Sequence, residues 1–145
     1  MLALASDHAG YPLKEEIKKY LNEQGIAYED FGTHSLDSVD YPVYAQKCAE
    51  AVASKQYEKG LLFCGTGIGI SIAANKVRGI RCCVCTEPFS AKMSREHNDA
   101  NMLALGARVV GVDLAKEIIH IWLTTPYSQG ERHSKRICQI HQIEE

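Results

Sequence analysis

Short runs of apolar residues alternate along this chain with stretches whose apolar positions recur every three or four residues. The first pattern reads as buried strand and the second as amphipathic helix. Leu2–Ser6 predicts a strand. Leu13, Ile17, Tyr20 and Leu21 then mark one face of a helix over about 11–24, which Gly25 ends. Residues 27–31 predict a second, weaker strand. After a loop over 32–41, Pro42 suits the first turn of a helix with Ala45, Cys48, Ala49 and Val52 on its apolar face. Residues 60–64 predict a third strand, followed by a glycine-rich turn and a helix through Lys76. Residues 79–85 predict a fourth, with Thr86 as N-cap of the next helix. Residues 102–110 hold a fifth. Asp113 is expected to cap a helix that aligns Leu114, Ile118, Ile121 and Trp122. A last helix, about 131–143, spaces Ile137, Ile140 and Ile143 three apart.

Strand and helix in alternation predict parallel strands with right-handed crossovers. The expected fold class is α/β, a Rossmann-like three-layer α/β/α sandwich around a five-stranded parallel sheet. No repeat, low-complexity tract or Pro/Ser-rich linker interrupts the chain, so residues 1–145 are expected to form one domain. Such sheets bind ligands at the carboxyl ends of their strands. That directs attention to Asp7 and His8, to residues 64–69 and to the segment around His97.

Composition narrows the partners. Hydrophobic residues make up 46% and charged residues 23%, which excludes intrinsic disorder. The net charge of −2 leaves no basic excess for nucleic acid or an acidic membrane surface, so neither is expected as a partner. The opening residues have no positive n-region and too short an apolar run for a signal peptide. Cysteines stand at 48, 64, 82, 83, 85 and 138, with three crowded into one apolar run. That is a poor disulfide framework and predicts free thiols in a reducing cytoplasm.

The segment Cys64-Gly65-Thr66-Gly67-Ile68-Gly69 joins a strand to a helix. Its alternating glycines can expose successive backbone N–H groups to an anion. No Gly-Lys pair follows, so it is not a P-loop. Isoleucine stands at 70 and 72 where a dinucleotide fingerprint needs its third glycine. A ring of donors with a thiol at its edge remains, which suits an oxyanion formed during chemistry. Cys64 there can serve as nucleophile or base. Cys82 and Cys85 form a lone C-x-x-C, but in a strand they point to opposite faces, and no second ligand pair with zinc spacing accompanies them.

Taken together, Asp7-His8-Ala9-Gly10, Tyr41-Pro42, the glycine loop, Ala73-Ala74-Asn75-Lys76, residues 96–101 (Glu-His-Asn-Asp-Ala-Asn), Arg132-His133 and Arg136 resemble ribose-5-phosphate isomerase type B. That family also holds isomerases of galactose 6-phosphate and allose 6-phosphate. The resemblance spans essentially the whole chain. It implies an aldose–ketose isomerase of the pentose phosphate pathway, interconverting D-ribose 5-phosphate and D-ribulose 5-phosphate. It implies a homodimer, or a dimer of dimers, with sites shared between subunits and with no metal or organic cofactor. Cys64 would move the proton between C1 and C2. Backbone at Gly65, Gly67, Ile68 and Gly69 would stabilise the enediolate, and Thr66 would assist proton movement between the sugar oxygens. His97 would open the furanose ring, with Asn98 beside it. Asp7 and Tyr41 would contact the sugar. His8, Arg132 and Arg136, with Arg108 from the other subunit, would hold the phosphate. The C-terminal helix is expected to contribute to the site or the dimer. A branch of the family uses a glutamate in the loop instead of the cysteine. Ile70 stands at that position here, so the chain groups with the cysteine-using branch.

The residues also make chemical sense without that likeness. An aldose isomerase needs a base, an oxyanion cradle and a ring-opening acid–base, and Cys64, the glycine loop and His97 offer one of each. Arg132 and Arg136 are four apart and share a helix face, so both guanidinium groups can reach one phosphate. Each feature has a plainer reading: a core cysteine, a tight turn, a solvated cationic face. Two other functions stay open on the residues alone. A phosphate-binding sensory module would use the loop but need no thiol, and a redox protein would need Cys82 and Cys85 exposed.

Overall fold

The computed structural model describes residues 1–145. Five parallel strands form one sheet: β1 (Leu2–Ser6), β2 (Tyr28–Asp30), β3 (Lys59–Cys64), β4 (Cys82–Val84) and β5 (Met102–Gly106), in the order β2-β1-β3-β5-β4. Six helices accompany them: α1 (Tyr11–Glu23), α2 (Tyr41–Ala53), α3 (Ile68–Ala74), α4 (Pro88–Asn98), α5 (Val112–Thr124) and α6 (Glu131–Ile143). The expected α/β class is the observed one.

Strand alternation sorts side chains onto two faces. Leu2, Leu4, Leu61, Phe63, Leu103 and Leu105 pack with Leu13 and Ile17 of α1 and Ile118 and Trp122 of α5. Ala3, Ala5, Leu62, Cys64 and Ala104 turn the other way, toward Ala45, Cys48 and Ala49 of α2 and Ile70 of α3. Alanines on the second face let α2 lie close to the sheet. Helices following β1 and β3 therefore cover opposite faces, although the two strands are neighbours. The crevice outside their carboxyl ends is the topological switch point, where an α/β sheet of this kind binds its ligand.

Several boundaries differ from the pattern-based expectation. Strand β4 is shorter than 79–85: pairing with β5 begins at Cys82, Asn101 takes the Arg81 N–H just before it, and Asn75 bonds both backbone groups of Cys82. Strand β5 stops at Gly106, where the chain turns. Helix α3 ends at Ala74 rather than Lys76. The N-cap of α4 is Glu87, not Thr86: its carboxylate accepts from Ser90 N–H at 3.0 Å. Asp113 does not cap α5; Gly111 does, and Asp113 lies in the first turn. The buried face of α5 is Ala115, Ile118, Ile119 and Trp122, leaving Leu114 exposed and Ile121 only partly covered.

One charged side chain is buried completely. Lys14 on α1 is fully buried, and its Nζ donates to Asp30 Oδ1 at 2.7 Å and to the Thr33 carbonyl at 2.5 Å. Burial pushes the Lys14 ammonium below its ordinary range, against the pull of Asp30. Burial alone would raise the Asp30 carboxyl. Hydrogen bonds from Lys14, Gly32 and Lys18 more than offset this and hold it below the usual carboxylate range.

Candidate active site

The structure gathers the residues singled out above into two groups. The first sits at the switch point. Cys64 closes β3, is buried, and its Sγ accepts a hydrogen bond from Gly67 N–H at 3.1 Å. Gly67 takes φ +78°, which turns that N–H back toward the sulfur, and it is packed so closely against β5 that a Cβ would lie 2.9 Å from the Leu105 carbonyl carbon. Glycine meets both demands. Ile68 N–H is also taken within the loop, by the exposed Thr66 Oγ1 at 3.2 Å. Gly67 and Ile68 therefore serve the thiol and the hydroxyl. The N–H groups of Gly65, Thr66, Gly69 and Ile70 have no protein partner and are the loop's free donors.

Asp7 and His8 reach the same crevice from β1. Gly10 seats the start of α1 directly on β3, since a Cβ there would stand 2.1 Å from the Phe63 carbonyl oxygen. Asp7, nearly buried, accepts from Gly10 N–H through Oδ1 at 2.9 Å. His8 Nδ1 accepts from Val39 N–H at 3.2 Å, so the neutral ring carries its hydrogen on Nε2, free to donate. Tyr41, the first residue of α2, lays its ring against Gly69: a Cβ at Gly69 would lie 2.7 Å from Tyr41 Cζ. Backbone bonds from Ala107 and Arg108 N–H to the Cys64 and Gly65 carbonyls extend the β3–β5 ladder beyond both strands. They bring the Arg108 guanidinium over Gly65. Arg108 thus accompanies the thiol loop of its own chain.

The second group lies where α4 ends and α6 begins. His97 and His133 stack with ring centroids 4.3 Å apart and planes 13° from parallel. Partial desolvation and the neighbouring His97, Arg132 and Arg136 hold His133 below the ordinary histidine range. Ser128 clasps the junction, donating through Oγ and N–H to the Glu96 carbonyl at 2.6 and 3.3 Å. Asn98 is exposed, next to His97. No hydrogen bond, ion pair or ring contact within one chain links this group to Cys64. Pattern reasoning gave His133 no role; its place between Arg132 and Arg136 on one helix was the available signal.

The other cysteines stand apart. Cys82 and Cys85 are buried in opposite core clusters, so the exposed pair a redox protein needs is missing. Burial raises the thiols of Cys48 and Cys82 and pushes Cys85 up to about 12. No cluster of three or more His, Cys, Asp or Glu residues is arranged to hold a metal ion. No helix is long and apolar enough to cross a membrane.

Comparison with known proteins agrees with this geometry. Residues 2–140 match the Ribose/Galactose Isomerase family. Ribose-5-phosphate isomerase B of Escherichia coli is 51% identical over 144 residues, covering 99% of this chain and 96% of that protein. The solved structure of Clostridium thermocellum ribose-5-phosphate isomerase B superposes with a TM-score of 0.97 at 55% identity, covering 99% of this chain and 96% of that one. That of Thermotoga maritima gives 0.95 at 48% identity, covering 97% of each. The chain belongs to the ribose/galactose isomerase family.

Proposed function

We propose that this chain is a ribose-5-phosphate isomerase, interconverting D-ribose 5-phosphate and D-ribulose 5-phosphate through an enediolate in the pentose phosphate pathway. The observation that carries the reading is Cys64: a thiol at the switch point, fixed by Gly67 N–H and bordered by free backbone donors. His97 opens the furanose. The Cys64 thiolate removes the C2 proton of the open aldose, and the loop donors stabilise the oxyanion. The Thr66 hydroxyl, its oxygen held by Ile68 N–H, keeps its hydrogen free to help transfer a proton from O2 to O1. Cys64 then returns its proton to C1. Asp7, Tyr41 and Asn98 contact sugar hydroxyls. His8 Nε2–H, Arg108, Arg132 and Arg136 hold the phosphate.

The site is completed by a second copy of the chain, in a homodimer or a dimer of dimers. Cys64, His8 and Arg108 come from one subunit and His97, Arg132 and Arg136 from the other. The separation of the two groups within a chain supports this, as do the exposed Val43, Ile68 and Ile72 beside the thiol loop and the absence of any buried residue in α6. Residues 1–145 act as one sugar-phosphate isomerase unit in the cytoplasm, a setting consistent with six free thiols.

The test is turnover of ribose, allose and galactose phosphates by one purified preparation, with and without chelator. Ribose 5-phosphate should give the highest kcat/KM, and chelator should leave the rate unchanged. Failure to form ribulose 5-phosphate would overturn the reading.

A further inference from the structure

Helix α6 is the one helix with no buried residue. A helix of this length has little stability of its own in water, so within the chain the contacts at its ends hold it in place. At the near end, Ser128 and the His97–His133 stack tie it to α4. At the far end, Arg81 Nη1 meets His141 Nε2 at 2.6 Å, and the Glu144 carboxylate accepts from Gly79 N–H at 3.1 Å through each oxygen. The same Arg81 guanidinium donates through Nε to the Asn98 carbonyl at 3.0 Å and through Nη2 to the Asp99 carbonyl at 2.8 Å. One side chain therefore joins the end of α4, which carries His97 and Asn98, to α6, which carries Arg132 and Arg136.

We propose that Arg81 and His141 are positioning residues: a strut on the far side of α6 from the reacting atoms that sets the phosphate arginines in register with His97. The proposal rests on the reading of Arg132 and Arg136 as phosphate ligands. It has a protonation consequence that follows from donor chemistry. Arginine only donates, so His141 accepts through Nε2 and is neutral, with its hydrogen on Nδ1. A protonated His141 has no lone pair to offer and would confront Arg81 as a second cation. Lys55 and Glu58, before β3, line the same recess, as does Asp99, whose Oδ2 lies 3.7 Å from Arg81 Nη2.

His141→Gln keeps an acceptor oxygen for Arg81, whereas His141→Leu does not. The experiment measures KM and kcat for ribose 5-phosphate across pH, and the Kd of inorganic phosphate by calorimetry, with Arg136→Ala as reference. His141→Leu should raise KM and the phosphate Kd together by roughly five-fold or more, with kcat changed by less than about two-fold. His141→Gln should match the wild type in KM and in phosphate Kd. Unchanged KM and phosphate Kd in His141→Leu, with only a lower Tm, would overturn the proposal, and so would His141→Gln behaving like His141→Leu. If Arg136→Ala weakens phosphate binding while His141→Leu does not, the strut alone falls. If Arg136→Ala leaves phosphate binding unchanged, the phosphate reading falls and takes the strut with it.

Discussion

Cys64 differs from the other cysteines in what surrounds it. Cys64 shares a core cluster with Cys48 and Cys82, but it closes its strand at the switch point and its sulfur takes an N–H bond from Gly67. Cys64→Ala should lower kcat by at least ~10²-fold, the usual worth of a positioned base. Substrate should still bind, because the proton transfer contributes little to ground-state affinity. Single-turnover and binding measurements on that variant check both halves. Alkylation gives a second view. Cys138 is exposed and will react in any case, so the reagent belongs on a Cys138→Ser background. There, inactivation should track modification of Cys64 and slow when ribose 5-phosphate is bound. The place of Cys64 at a strand end before a glycine turn was legible in the sequence. The bond from Gly67 N–H to its sulfur was not, since it depends on the left-handed backbone at Gly67.

Among the elements, the strands and the buried faces of α1 and α2 followed the hydrophobic period closely. The exceptions have local causes. Helix α5 has one polar stripe, Asp113, Lys116, Glu117, His120 and Thr124, and a broad apolar arc opposite it, within which packing against α1 and α4 chooses Ala115 and Ile119 over Leu114. Lys14 lies on the apolar stripe of α1 but carries a charge, so periodicity passed over it; only the fold brings Asp30 within 2.7 Å. Removing one partner of such a pair leaves a buried charge. Asp30→Asn should therefore lower stability by about 3 kcal/mol at neutral pH. The Asp30 carboxyl titrates below its ordinary range in the folded state. Its contribution is thus present above that range and lost as pH falls through the folded value. Denaturant melts at a series of pH values should show the gap between wild type and variant closing toward acid. On α6, Arg132→Ala and Arg136→Ala should each raise KM for ribose 5-phosphate, because the phosphate loses a charge-assisted partner. Normal affinity in both variants would make that helix face plain solvated charge.

At the scale of the whole molecule, the sheet order explains why the sequence places its chemistry after β1 and β3: their helices depart to opposite faces and leave a crevice between them. Strand-end reasoning found that crevice without coordinates. The grouping of residues around it was less legible, because it depends on how α4, α6 and the turn after β5 approach one another across long stretches of chain. Only the fold shows Arg108 beside its own thiol loop and His97 beside Arg132 and Arg136. The proposed sharing of the site between two subunits is tested most directly by a mixed dimer. Cys64→Ala and His97→Ala homodimers should both be nearly inactive on the closed sugar. Co-expressed with different tags and purified through both, they form a dimer in which two-fold symmetry collects both substitutions in one site and neither in the other. That dimer should recover about half the wild-type rate, one good site of two. A doubly tagged dimer as inactive as its parents would contradict the account.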